Sequence, residues 1–304
     1  MIIDFDSGYN KKIVIALGFF DSVHRGHRML INRSIEIASA KGILSAVFTF
    51  AGNPYKAIGL LEHQVYTFRE RVDLLYRIGV DHIISAIPSI EFMNLTPLEF
   101  LDKLTRKYDI DTIICGDDYC FGKGASGDIK LLTEYCKSKG INIVVSDMLL
   151  DNDVKISSSN IKKLIIEGNI IEANALLGSP YMVMGDVIRG RGKGREMGFP
   201  TANLQLSAEK IRLSEGVYAT SVIIKGVQYE GLTNVGGRPT FDDLDFNIET
   251  FVLDYEGSPL YNSEIKLYFI DRIRSITKYQ NMEELSLQIK FDLIYSKSIE
   301  RKII

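Results

Sequence analysis

The first 180 residues alternate short apolar runs with stretches of helical spacing. Residues 12–20 (KIVIALGFF) read as a buried strand, and residues 27–42 (HRMLINRSIEIASAKG) place apolar positions three and four apart before stopping on Gly42. Strand-like runs follow at 43–50, 81–88, 111–116 and 141–147. Helical patterns at 68–79, 97–108 and 128–140 separate them. Strands joined by helices predict a doubly wound parallel sheet. Two short helices, 159–168 and 170–178, close this half.

After Pro180 the pattern changes. Runs at 181–188, 216–226, 227–236, 246–255 and 264–273 are rich in Val, Ile, Tyr, Phe and Thr, with glycine turns and no helical pattern between them. That texture predicts a small antiparallel β-barrel. An amphipathic helix over about 281–302 ends the chain. The expected domains are therefore 1–180 and 181–304, within the size prior for 304 residues.

Composition narrows the classes without naming one. With 46% hydrophobic and 25% charged residues the chain can bury real cores. Its net charge of −3 argues against general nucleic-acid binding, so any polyanion contact must be local. No apolar run reaches the roughly 18 residues of a membrane span, and the N-terminus carries no signal-like apolar core. A cytoplasmic protein with no membrane partner is expected. The cysteines, Cys115, Cys120 and Cys136, form no CxxC pair and read as buried or semi-buried thiols of a reducing compartment.

The sharpest motif of the first half is GFFDSVHRGHRML (18–30), where the first strand gives way to the first helix. Open parallel sheets bind ligands at such carboxyl ends, and helix N-termini offer free N–H groups to phosphate. His24 and His27 flank Gly26, which lets backbone approach closely. Two imidazoles there can donate hydrogen bonds to a phosphoryl group as its charge develops. Chance surface histidines are disfavoured, because two of only four in the chain fall within four residues. A zinc site lacks further ligands. GxGxxG is absent, and GDDYCFGKG (116–124) is one residue too long for a P-loop.

HxGH in this setting resembles the nucleotidylyltransferase superfamily. ISSSNIKK (156–163) is similar to that superfamily's distal ISSTxIR motif, with Lys162 in place of Arg. Ser157, Ser158 and Ser159 could hold triphosphate oxygens with helix N–H groups; alone they would equally be an N-cap cluster.

The second half opens with VIRGRGKGREMGFPTANL (187–204). The basic residues among glycines are compatible with a solvated loop, a short nucleic-acid contact or a phosphate flap. Pro200, Thr201 and Asn203 read as a rigid turn whose oxygens suit Mg²⁺ and phosphate. GFPTAN, NVGGRPTF (234–241) and ETFVLDYEGSPLY (249–261) together look like the riboflavin kinase family.

From residue 12 to 295 the chain resembles the prokaryotic bifunctional riboflavin kinase/FMN adenylyltransferase family, or FAD synthetases. The match takes in LTPLEF (95–100), GDDYCFGKGASGD (116–128) and ANALLGSPY (173–181). The resemblance implies Mg²⁺, with ATP as co-substrate. Riboflavin, FMN, FAD and ADP would be the other small-molecule partners. It implies that Glu249 takes the proton from the riboflavin hydroxyl and that His24 and His27 contact ATP phosphates. Gly18, Phe20, Asp21, Gly26, the three serines and Lys162 would line the first ATP site. Gly190, Lys193, Gly198, Pro200, Thr201 and Asn203 would line the second, with Thr201 and Asn203 on the metal. Asp118, Phe121, Arg238 and Arg274 would lie against the flavin. The chain departs from the family pattern at Ser22, for glycine; at Asn53 in TFAGNP, for histidine; and at Lys162. All three fall in the first half, which leaves a kinase with a degenerate first domain as the alternative. A non-catalytic flavin- or RNA-binding regulator is the reading from another class.

Overall fold

In the computed structural model, described for residues 1–147, 149–151, 154–189, 201–237, 246–258 and 260–301, the chain forms two units, Met1–Ser158 and Ser159–Ile304. The first carries a six-stranded sheet of β1 (Ile2–Asp4), β2 (Tyr9–Leu17), β3 (Leu44–Phe50), β4 (His82–Ala86), β5 (Tyr108–Gly116) and β6 (Asn142–Ser146). The order is β1-β4-β3-β2-β5-β6, and every pairing is parallel. Between the strands lie α1 (Arg25–Lys41), α2 (Pro54–Ala57), α3 (Phe68–Ile78), α4 (Ile90–Met93), α5 (Pro97–Lys107) and α6 (Ile129–Lys139). A small antiparallel pair, β7 (Leu150–Asp151) and β8 (Val154–Lys155), follows the sheet. The chain runs outward from β2 through β3 to β4, then returns to the other flank of β2 for β5. That reversal beside β2 is a topological switch point, the place where such sheets open a crevice.

The expected parallel sheet is present, with one more strand than the apolar runs indicate. β1 is three residues in an acidic segment, too short to show a period, and β4 recruits it by pairing. The helix α1 stops at Gly42 in the left-handed conformation (φ 64°), as the sequence indicates. The core packs Ile13, Ile15 and Leu17 of β2 with Phe5, Phe48 and Phe100. Cys115 and Cys136 are buried in it; Cys120 is exposed, contrary to the expectation for all three.

In the second unit β9 (Tyr181–Ile188), β10 (Thr201–Gln205), β11 (Gly216–Ile224), β12 (Val227–Gly237), β13 (Phe246–Val252) and β14 (Glu264–Arg274) close an antiparallel barrel in the order β10-β13-β12-β11-β14-β9. The proline and polar residues around β10 suggest a turn. Pairing on both edges, with β9 and β13, extends it instead. Inside the barrel Thr220, Thr233 and Thr250 are fully buried and bonded in a row, with Thr220 Oγ1 2.8 Å from Thr233 Oγ1. The helix α7 (Ser158–Glu167) begins at the division between the units. α8 (Ile170–Leu177) belongs with the barrel: Asn174 Nδ2 donates to the Phe269 carbonyl of β14 at 2.8 Å. The last helix, α9 (Met282–Ser298), lays Ile289 and Leu293 on Leu232 and Phe251 of the barrel's outer face. Among the described residues no helix is long and apolar enough to cross a membrane.

Candidate active sites

The loop from β2 to α1 is held in strained backbone. Phe20 (φ 54°) and Val23 (φ 44°) are left-handed without being glycine, and both are 1% exposed. Such residues cost on the order of 1–3 kcal/mol each and persist only where burial enforces them. Gly18 is needed because a Cβ there would lie 2.8 Å from the Phe20 ring. Asp21 is buried, its Oδ1 accepting from Val65 N–H at 3.0 Å. It anchors the loop to residues 65–66.

The loop delivers His24 to the N-cap of α1. Its Nδ1 accepts the His27 backbone N–H at 3.1 Å, the bond a capping Ser or Asp would make. A ring nitrogen that accepts carries no proton, so the remaining N–H sits on Nε2. The His24 and His27 rings stack with centroids 3.6 Å apart and planes 12° off parallel. Phe20 meets His27 edge-on at 5.2 Å. Gly26 sits beneath the pair, and a Cβ there would come within 3.2 Å of the His24 ring.

Burial lowers the His24 pKa to about 4, with Asp118 opposing the shift and Lys155 assisting it. Burial, then the neighbouring His24, pushes His27 well below its ordinary value. Both rings are therefore neutral at pH 7, and His27 Nδ1 is buried with no hydrogen-bond partner among the described residues. Each neutral ring can donate one hydrogen bond to an oxyanion without competing for the substrate's proton.

Around this pair, Asp118 is ion-paired with Lys155 at 2.7 Å. Ser22 Oγ lies 2.9 Å from Ser158 Oγ, which joins the histidine loop to the start of the serine motif. Ser157 and Ser158 thus fall in the same unit as the histidines, whereas Ser159 and Lys162 lie beyond the division. Phe121 is 6% exposed in the core against Phe100. Asn53 caps α2 by accepting from Tyr55 N–H at 3.0 Å and donates to the Glu62 carbonyl at 2.6 Å.

No sequence motif singles out Arg71. It is fully buried, donates to the Phe50 and Tyr66 carbonyls at 2.6 and 2.9 Å, and lies 4.7 Å from the Phe19 ring centre. It ties the ends of β2 and β3 to the segment after α2. Its one sequence sign is its place a residue after the Thr67–Glu70 capping box.

In the barrel, strand register assembles the second site. Asn203 of β10 stands opposite Glu249 of β13, which stands opposite Asn234 of β12. Residues two apart share a face, so Thr201, Asn203, Glu249 and Asn247 all project from the barrel's outer side. The Thr201 hydroxyl donates to Glu249 Oε1, and Asn247 Nδ2 donates to Asn203 Oδ1 at 2.9 Å. These are hard oxygen donors on adjacent strands, a set that suits a magnesium-like cation. Thr201 can give its proton to Glu249 while its lone pairs remain free.

Gly190, Lys193, Gly198, Pro200 and Arg238 lie outside the described residues. Arg274 is clamped to Asp292 of α9, with Nε 3.0 Å from both carboxylate oxygens and Nη2 2.8 Å from Oδ2. Asp292 is 2% exposed, so this pair fastens helix to barrel.

Comparison with known proteins gives each half of the chain a family. A family model described as FAD synthetase matches residues 6–160, and one described as riboflavin kinase matches residues 177–299. The chain is 33% identical to the bifunctional riboflavin kinase/FMN adenylyltransferase of Listeria monocytogenes, over 92% of this chain and 90% of that protein. With the proteins of the same description from Bacillus subtilis and Escherichia coli K12 it shares 32% and 31%, over the same fractions. A crystal structure described as a macrolide-efflux protein from Streptococcus pneumoniae has the same fold, with a TM-score of 0.88 and 29% identity, covering 98% of this chain and 99% of that one. The two family models, with relatives of one description matched over nine-tenths of their length, place this chain in the bifunctional riboflavin kinase/FMN adenylyltransferase family.

Proposed function

We propose that the outer face of β10 and β13 phosphorylates riboflavin and that the capped end of α1 adenylylates the resulting FMN. The chain has the two activities of its family, riboflavin kinase and FMN adenylyltransferase; the residues assigned to them are our reading. The observation that carries it is the Thr201–Glu249 hydrogen bond, which sets a carboxylate beside oxygen donors on one face.

In the kinase step the riboflavin 5′-hydroxyl gives its proton to Glu249 and attacks the γ-phosphorus of ATP, releasing ADP. Thr201 and Asn203 would hold Mg²⁺, which neutralises phosphate charge when bound. Asn247 donates to the Asn203 amide oxygen and so fixes the orientation of that amide. In the second step a phosphate oxygen of FMN attacks the α-phosphorus of another ATP, forming FAD and releasing pyrophosphate. FMN arrives already anionic, so no side chain needs to act as base. His24 and His27 stabilise the charge by donating hydrogen bonds as neutral imidazoles, and Ser157 and Ser158 hold triphosphate oxygens. We place the reaction in the cytoplasm, with no nucleic-acid or membrane partner.

The test is incubation with riboflavin, ATP and Mg²⁺, then separation of flavins over time. FMN should rise first and FAD follow, with pyrophosphate released only in the second phase. Accumulation of FMN without FAD would leave a kinase alone, and no ATP turnover would leave a binding protein.

A further inference from the structure

Ser22 lies in the loop that carries the histidines, and its side chain is not idle. The residue is fully buried, and its Oγ lies 2.9 Å from the Oγ of Ser158, 136 residues later. Ser22 belongs to the strained loop that ends in the cap of α1; Ser158 is the first residue of α7. One hydroxyl pair therefore joins the two segments that carry the histidines and the serine motif.

The direction of this bond follows from burial. A buried hydroxyl proton must find an acceptor, because leaving it unmet costs a large fraction of its hydration. Among the described residues Ser158 Oγ is the acceptor bonded to Ser22. Ser158 is only partly buried, so it does not need Ser22 as its own acceptor. With Ser22 donating, Ser158 keeps its proton for another partner, and accepting one bond makes it a stronger donor. We propose that Ser22 is a positioning residue for adenylyl transfer: it fixes the Ser158 hydroxyl as a donor toward the triphosphate of ATP. The proposal rests on the adenylyltransferase reading of this site.

The experiment uses the full chain. FMN and ATP are supplied, pyrophosphate release is followed, and KM for ATP is separated from kcat in Ser22→Ala, Ser158→Ala and the double variant. Ser22→Ala should raise KM for ATP roughly 3- to 10-fold with kcat little changed, the scale of one hydrogen bond. Ser158→Ala should do at least as much, and the double variant should be no worse than Ser158→Ala, since Ser22 acts only through Ser158. Riboflavin phosphorylation by the same preparations should stay at the wild-type rate. A wild-type KM for ATP in Ser22→Ala, losses that multiply in the double variant, or an equal loss of both activities would overturn the proposal. His27→Ala is run alongside. If it still releases pyrophosphate at the wild-type rate, the site reading itself is wrong. If it is inactive while Ser22→Ala is unaffected, only the inference about Ser22 fails.

Discussion

The two sites reach similar chemistry by opposite routes. At the end of β2 the groups come from a loop whose backbone is strained and whose side chains are buried, and the histidines there are neutral because burial makes them so. On the barrel the groups come from consecutive strands, and ordinary β-register sets Thr201, Asn203, Glu249 and Asn234 side by side. The first site stores folding energy in its geometry, while the second obtains its geometry from the sheet. Single changes should therefore separate catalysis from stability on the barrel, and mix the two at the histidine loop.

The largest expected effects are on rate. Glu249→Gln should lower riboflavin phosphorylation by about 10²–10⁴, the usual loss for a general base, with no fall in melting temperature. His27→Ala should abolish most pyrophosphate release from FMN and ATP and should also shift melting, because the ring fills space under His24 and Phe20.

Next in size is the helix clamp. Arg274→Ala strands the buried Asp292 carboxylate and should cost about 3–5 kcal/mol in denaturant unfolding. Under conditions where the variant is folded, its KM for riboflavin should be unchanged; a raised KM would restore the flavin role.

The acid response is smaller. The folded pKa of His24 lies near 4, below its unfolded value, so the unfolded chain binds the proton first as pH falls. Stability should be independent of this group above about 6.5, then decline as pH drops toward 4, by about 3 kcal/mol in all. His24→Asn keeps a cap without a titrating ring and should make that decline shallower in pH-dependent unfolding, leaving the share that His27 contributes. Smallest is Gly26→Ala, which presses on the His24 ring and should slow adenylylation a few-fold while riboflavin phosphorylation is untouched.

Legibility in the sequence follows the same division. Apolar runs, helix patterns and Gly42 disclose the sheet and its crossovers, because those features are local. HxGH announces its site because the loop, cap and helix are contiguous. The barrel face is harder to see. Glu249 and Thr201 are 48 residues apart, and only pairing reveals that they touch. β10 looks like a turn because its local residues disfavour a strand, and neighbours on both edges overrule them. The contacts of Arg274, Phe121 and Asp21 are with residues remote in sequence, so no local pattern shows them. Arg274 holds Asp292, Phe121 packs on Phe100, and Asp21 accepts from Val65. Ser22 looks like a defect until Ser158 stands opposite it.

The central claim is that two independent sites share FMN as product and substrate. Mixing purified Glu249→Gln and His27→Ala proteins with riboflavin, ATP and Mg²⁺ tests it most directly. Alone, the first should leave riboflavin largely unconverted and the second should stop at FMN. Together they should form FAD, because FMN made by one diffuses to the other. If the two folded proteins give no FAD when mixed, or either alone makes it from riboflavin at the wild-type rate, the two-site account is contradicted.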